Sequence, residues 1–142
     1  VYVGHVYDGL SVIDVKSRAA YNYRHDDRNP QSISGNEVHC VFRSANGLIW
    51  VGTNKGLDLF DPLQGKFHHV ADSRGTIHPV FQIKQMSDGR LWLATELGGV
   101  VSRSVSRLET SSLTIFQKER ATDIWVEAVC AVCLKTIITM CG

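Results

Sequence analysis

Short runs of alternating apolar and polar residues, each closed by a turn signal, cover most of this chain. The clearest set extends from Val38 to Val70, where Asn46-Gly47, Asn54-Lys55-Gly56 and Asp61 to Gly65 separate four such runs. A period of two is typical of strands, and the segment has no helical spacing. The pattern predicts four antiparallel strands in about 33 residues, with a type I′ turn at Asn46-Gly47 because Asn-Gly favours the positive φ angles of that turn.

The same order of turns and short strands recurs three times along the chain. Gly47 to Asp61 is the clearest copy, Gly89 to Ser104 repeats it, and Val1 to Asp14 is an earlier copy that lacks the first turn. An aromatic residue holds the equivalent place in each copy, 48 and then 42 residues apart: Tyr2, Trp50 and Trp92. Four-stranded units with a period of 40 to 50 residues indicate a β-propeller, in which each unit is a blade and the aromatic residue packs against the next blade.

We therefore expect an all-β fold, a partial β-propeller of about three four-stranded antiparallel blades. The repeat predicts this division: 1–37, the C-terminal part of a first blade with its connector; 38–79, a second blade; 80–125, a third; 126–142, a degenerate start of a fourth. The connector from Arg24 to Glu37 is rich in turn-forming residues and is predicted to be a solvated loop. The last segment either forms a degenerate strand pair or is not the native continuation of the array.

Charge and hydropathy exclude several partners. The formal net charge is +1, and the 20% of charged residues mix both signs, so no basic surface is available for nucleic acid. No segment reaches the roughly 18 to 20 apolar residues that cross a bilayer, and we expect no direct membrane contact in this segment.

The repeated phrases resemble a known family. Gly47 to Thr53 followed by Gly56-Leu57, and Gly89 to Thr95 followed by Gly98-Gly99-Val100, resemble the two-component regulator propeller repeat. Asn29 to Ser34 is similar to the connector between blades of that family. The resemblance covers residues 1–104 well and 113–142 poorly.

In that family the propeller is the extracytoplasmic sensor of membrane-bound hybrid histidine kinases from Bacteroides-type gut bacteria, which control polysaccharide utilisation. The resemblance implies a periplasmic ligand-sensing fragment that responds to a small oligosaccharide and has no catalysis of its own. Its partners would be other propeller blades or a second sensor copy. Since about three blades do not close a ring of the usual four to eight, we expect a fragment, a truncated reading frame or one part of an assembly.

Residues with catalytic or metal-binding chemistry do not form a recognisable set, so we predict no catalytic residue, no metal and no cofactor. His68 and His69 are adjacent and would point to opposite faces of a strand. Cys130 and Cys133 form a C-x-x-C without a second such pair, although Cys40 and Cys141 remain as partners. Two alternatives stay open: a propeller enzyme acting on polysaccharide, as a lyase or hydrolase, and a scaffold for protein contacts.

The variable turns at equivalent places of the three copies are the candidate ligand-binding sites. They read His5-Val6-Tyr7-Asp8, Asn54-Lys55 and Glu96-Leu97, and they differ while the framework around them stays constant. Variable loops on a fixed scaffold are typical of a recognition surface. The candidate ligand-binding residues are His5, Tyr7, Asn54, Lys55 and Glu96.

Overall fold

The structure, a computed structural model, describes residues 1–70, 78–87, 89–96, 98–102 and 116–117. Every regular element among these residues is a β-strand. The strands are β1 (Tyr2–Gly4), β2 (Leu10–Ile13), β3 (Ala20–Tyr23), β4 (Val38–Arg43), β5 (Ile49–Thr53), β6 (Gly56–Asp61), β7 (Lys66–Val70), β8 (Val80–Gln85), β9 (Leu91–Thr95), β10 (Gly98–Ser102) and β11 (Phe116–Gln117).

The strands form three antiparallel sheets in chain order, β1-β2-β3, β4-β5-β6-β7 and β8-β9-β10-β11. Each sheet is one blade, and the predicted all-β partial propeller is confirmed. The boundaries of the predicted division remain predictions. The segment 126–142 with its cysteines, and residues 113–115 of an expected outer strand, lie outside the described residues.

The turn at Asn46-Gly47 differs from the prediction. Gly47 has a φ of 86°, but Asn46 is not among the residues with positive φ, so the type I′ prediction is wrong. The N–H of Gly47 donates to the carbonyl of Ser44 at 2.8 Å, and the N–H of Ser44 donates to the carbonyl of Leu48 at 2.9 Å. This is the three-residue loop in which a type I turn is followed by a glycine in the left-handed region.

Alternate residues of the middle sheet enter two different hydrophobic cores, so β5 is buried at all five positions. One core joins the middle sheet to the first sheet and the connector, and includes Leu10, Ile33, Val38, Ile49, Val51, Phe60 and Phe67. The other joins it to the third sheet, and includes Trp50, Leu57, Leu59, Val70, Val80, Ile83, Leu91 and Leu93. Trp50 is 1% exposed, which confirms its predicted packing between blades.

Adjacent sheets approach each other closely at a glycine that recurs in the first two sheets. A Cβ added to Gly52 would lie 2.8 Å from the carbonyl oxygen of Val80 and 2.6 Å from Sγ of Cys40. Gly4 occupies the equivalent place in the first sheet, and its Cβ would lie 2.6 Å from Cγ1 of Val38. Val38, the first residue of β4, packs against Gly4, and Val80, the first residue of β8, packs against Gly52. A residue larger than glycine at either place would clash with the following sheet.

The inner strands β4 and β8 share an irregularity at the same place. Each has a register shift, between Val38 and Cys40 in β4 and between Val80 and Gln82 in β8. Such a bulge adds one residue to the strand and interrupts its alternation. The simple alternation expected for β4 is wrong for this reason: Val38 and Val41 both face the core shared with the first sheet.

Candidate ligand-binding face

The segment from Gly35 to His39, here called the hub segment, meets all three sheets at one end of the blades. It ends the connector and begins β4. The β1–β2 turn and the β5–β6 turn are both hydrogen-bonded to its backbone. These bonds run from Gly9 N–H to Asn36 O at 2.8 Å, from Val38 N–H to His5 O at 2.8 Å, and from Asn54 N–H to Glu37 O at 3.0 Å.

His39 connects the hub segment to the third sheet. Its Nδ1 lies 3.2 Å from the carbonyl oxygen of Val80, and its Nε2 lies 3.1 Å from Oε1 of Glu37. Both partners are hydrogen-bond acceptors, so each contact is a hydrogen bond when the ring nitrogen facing it carries a proton. The imidazole is stacked on Phe81, with ring centroids 4.8 Å apart and planes inclined by 15°. The two bulge residues of neighbouring inner strands are therefore in direct contact.

The candidate residues of the first sheet differ in availability. His5 is partly buried, and its Nε2 lies 2.8 Å from the hydroxyl of Ser11. Its ring therefore helps to shape the turn. Tyr7 is 80% exposed at the tip of the same turn and presents a free aromatic face to solvent. The structure thus brings the turn that carries His5 and Tyr7 to the end of the blade where the hub segment lies.

The candidate residues of the second turn divide in the same way. Oδ1 of Asn54 is enclosed without a hydrogen-bond partner, against Gly35, whose added Cβ would lie 2.3 Å from it. Lys55 is exposed, and its N–H donates to Oγ1 of Thr53 at 3.1 Å. Thr53 thus holds the turn, which explains the Gly-Thr end of the repeated strand, and Lys55 is the residue of the pair that faces solvent.

Glu96 follows β9 and is exposed. It occupies the place in the third sheet that the β5–β6 turn occupies in the second, because Val80 pairs with Thr95 as Val38 pairs with Thr53. The five predicted residues therefore lie at the same end of their sheets. Among the described residues, no hydrogen bond or ion pair joins two of their side chains.

Asp58 forms a polar cluster with Ser34 and His69, which joins the connector to the second sheet. It is fully buried; its Oδ1 lies 2.7 Å from Nδ1 of His69, and its Oδ2 accepts the N–H of Ser34 at 2.8 Å. The hydrogen bond to Asp58 raises the pKa of His69, and the Pro30 carbonyl acts in the same direction. The cluster holds the connector against β6 and β7.

The connector is less solvated than predicted. Ile33 is completely buried and Ser32 is 8% exposed, and the N–H of Phe67 donates to the carbonyl of Gln31 at 2.9 Å. The prediction of a solvated loop is therefore wrong for its second half. The reason is that the segment crosses the outer strands of the second sheet on its way to β4.

Sequence reasoning missed Glu37, His39 and Phe81, which share the surface with the predicted turns. One signal pointed to them. His39 and Phe81 each follow the framework valine that lies 12 residues before a tryptophan, and they differ from each other while the valine is repeated. The contrast between variable residues and a constant framework, which marks the turns as candidates, therefore also marks His39 and Phe81.

Metal and nucleophile chemistry are not evident in the part of the chain that the structure describes. No three His, Cys, Asp or Glu side chains converge there as a metal site would require. Cys40 forms no disulfide with another described residue, and burial raises the pKa of its thiol to about 11, so the thiol is protonated near neutral pH. The described residues also form no helix with the length and apolar character needed to cross a bilayer.

Consecutive antiparallel sheets that pack face to face, with variable turns gathered at one end, define a β-propeller fragment with a loop surface suited to recognition. Residues 32–55 match the family described as two component regulator propeller, which confirms the resemblance inferred from the repeated phrases. Comparison with curated protein sequences gives no match.

The chain is similar to solved structures of extracellular domains of signalling systems. It is 36% identical to the extracellular domain of the hybrid two-component system BT3049 from B. thetaiotaomicron, with a TM-score of 0.56 over 70% of this chain and 12% of that one. Two structures of the BT4673 extracellular domain from the same organism cover 85% and 87% of this chain and share its fold, with TM-scores of 0.68 and 0.67 at 20% and 19% identity. This chain spans 12 to 17% of the length of these proteins.

Proposed function

We propose that this chain is part of the periplasmic sensor of a two-component signalling receptor, that it binds an oligosaccharide, and that it has no catalysis of its own. The observation that carries the proposal is the hub segment, which brings the variable turns of neighbouring sheets to one surface. We call this surface, formed by the hub segment with the β1–β2 turn, the β5–β6 turn and Glu96, the hub face. The similarity to the extracellular domain of a hybrid two-component system supports the signalling role.

The hub face carries the groups that a sugar requires. Sugars offer apolar ring faces for stacking and hydroxyl groups for hydrogen bonds, and binding sites commonly combine apolar surface with a few placed polar groups. Tyr7 is 80% exposed and Phe81 is 50% exposed, so both offer aromatic surface. Lys55, an exposed donor, and Glu96, an exposed acceptor, lie at the same end of their sheets.

Signalling would follow from the connection between sheets. The hub segment contacts all three sheets, so a ligand bound to it favours one relative arrangement of the blades over another. A ligand shifts a conformational equilibrium by its differential affinity for the two states. The shifted arrangement would then alter the packing of paired sensors.

The enzyme alternative has no observation in its favour. Asp58 and His69 are an acid and histidine pair, but the carboxylate is fully buried and already accepts the N–H of Ser34. The carboxylate is therefore withdrawn from a polysaccharide chain, and only the His69 ring, with 34% of its side chain exposed, reaches solvent.

Isothermal titration calorimetry of the 142-residue chain tests the proposal, with cellotriose, maltotriose, xylotriose, mannotriose, arabinotriose and trigalacturonate as probes. We expect saturable binding of at least one probe, weakened by Lys55→Ala and Tyr7→Ala. Leu63→Ala is the matched control, because Leu63 is 96% exposed on the β6–β7 turn at the opposite end of the same sheet. Absence of binding to every probe, or equal loss in Leu63→Ala, would contradict the proposal.

A further inference from the structure

We propose that Glu37, His39 and Phe81 form a saccharide subsite at the inner edge of the hub face, and that its ligand is a neutral sugar ring. The ring would stack on Phe81, and its hydroxyl groups would donate to the carboxylate of Glu37. The inference rests on the proposed function and adds the residues and the chemical class of the ligand.

Phe81 is oriented for stacking by the bulge in β8. The register shift between Val80 and Gln82 removes Phe81 from the regular ladder, and half of its surface remains exposed. One side of the ring is covered by the imidazole of His39 at 4.8 Å, nearly parallel to it. A flat aromatic surface with one face supported and the other accessible is a suitable platform for the apolar face of a pyranose.

Glu37 supplies acceptors next to this platform. One oxygen contacts Nε2 of His39 at 3.1 Å, and the side chain remains 42% exposed. An ionised carboxylate has about four lone-pair sites, so positions remain for hydroxyl donors. Hydrogen bonds from hydroxyl groups to a carboxylate are charge-assisted and stronger than those between neutral groups.

The charge of the surface sets the ligand class. The exposed Lys55 and Glu96 lie at the same end of the sheets, but Glu37 is the charged group joined to the Phe81 platform through His39, so a uronate stacked on Phe81 would bring its carboxylate towards that of Glu37. Like charges at close range are unfavourable. A neutral sugar has the donors that the carboxylates accept and lacks the repulsion.

His39 is a positioning residue in this subsite. It is 18% exposed and touches both Glu37 and Phe81, so it orients the acceptor and the platform relative to each other. Its contact with the Val80 carbonyl fixes both to the third sheet.

Calorimetry with the tightest-binding neutral trisaccharide of the panel tests the subsite on the full chain. We expect Phe81→Ala to raise Kd about ten-fold or more through lost stacking and burial, Phe81→Trp to retain binding, and Glu37→Gln to raise Kd about five-fold to thirty-fold. Tyr21→Ala is the matched control, because Tyr21 is an aromatic residue of similar exposure, 58%, on the outer strand β3. Its Kd should equal that of the wild type.

Saturation-transfer NMR keeps the test independent of variant folding. With wild-type protein deuterated everywhere except its phenylalanines, irradiation of the aromatic protons should saturate ring protons of the bound trisaccharide. Binding without this transfer, or with unchanged Kd in Phe81→Ala, would overturn the subsite and leave the proposed function standing. A lower melting temperature of Phe81→Ala with unchanged affinity would assign Phe81 to packing against a following blade. Tighter binding of trigalacturonate would overturn the ligand class, and no binding of any probe would overturn the proposed function together with the subsite.

Discussion

At the residue scale, Gly52 shows how one missing side chain sets the distance between two sheets. Gly52→Ala places a methyl group 2.8 Å from the backbone carbonyl of Val80, which has no flexible end that could move aside. We expect the free energy of unfolding to fall by about 1–3 kcal/mol, the usual cost of overpacking. Urea denaturation measures the change.

The control for this substitution is Gly47→Asn. A Cβ at Gly47 meets nothing within 4 Å, and asparagine tolerates the positive φ of this turn. We expect a change within about 0.5 kcal/mol. Equal stability of Gly52→Ala and wild type would show that the sheets are not in contact at this point.

Asp58 gives the second prediction at this scale. Asp58→Ala leaves the Ser34 N–H and the His69 ring without their buried acceptor, and we expect a loss of about 1–3 kcal/mol in the free energy of unfolding, the usual cost of leaving a buried donor unsatisfied. Thermal denaturation followed by circular dichroism measures it. Asp61→Asn is the control, because an amide oxygen can still accept the N–H groups of Leu63 and Gln64. A nearly unchanged melting temperature for Asp58→Ala would refute the role of the cluster.

Residues whose roles depend on local contacts were predictable, and those with distant partners were not. The packing role of Trp50 is predictable because a tryptophan recurs at the equivalent position of the next repeat. The turn at Asp61 is predictable because an aspartate in a turn bonds to backbone groups of its own turn. The burial of Asp58 depends on Ser34, which is 24 residues away. The local sequence around Asp58 does not predict that contact.

At the element scale, the connector is held by histidines whose charge depends on pH. The hydrogen bond from His69 to Asp58 raises the pKa of His69, and the Ile33 carbonyl, with Asp27, raises that of His25. A pKa that is higher in the folded state contributes stability that is present below the unfolded value, about 6.5, and is lost as the pH rises through the folded value. We therefore expect the free energy of unfolding to fall as the pH rises above about 6.5.

Urea denaturation at about pH 5.5 and about pH 8.5 measures this slope. His69→Gln and His25→Gln should each flatten it, because glutamine keeps a donor but does not titrate in this range. His68→Gln is the matched control, since His68 neighbours His69 in sequence but lies on the other face of β7. A slope that survives in the double variant of His25 and His69 would contradict the assignment.

The strands themselves followed from alternation and turn residues, and the observed bounds of β4 to β7 agree closely with the predicted runs. The bulges did not follow. Val38 and Val41 are three residues apart, a spacing that repeats as Val80 and Ile83. That spacing is compatible with one face of a strand only if a residue is inserted, and recognising it requires the pairing register of the neighbouring strand.

At the scale of the whole molecule, the first sheet has an open edge. In the described part of the chain β1 pairs with β2 alone, and Val3 on this strand is 37% exposed. Unpaired strand edges promote association between chains. We expect the isolated chain to self-associate, with an apparent mass by light scattering that rises with protein concentration. Val3→Lys should reduce the association because a charge on an edge strand disfavours pairing, and a concentration-independent monomer in the wild type would refute the prediction.

The two cores of the middle sheet determine which residues can fix the pairing register of its strands. A strand with one buried face is aligned by hydrophobicity, since a slip of one residue would turn its apolar side to water. In β6 both faces are buried, so Leu57, Leu59 and Phe60 would remain in apolar surroundings after such a slip. Asp58 would not, because it would enter the core around Trp50 and lose Ser34 and His69. The alignment of β6, a strand with apolar surroundings on both faces, is thus set by its buried carboxylic acid side chain.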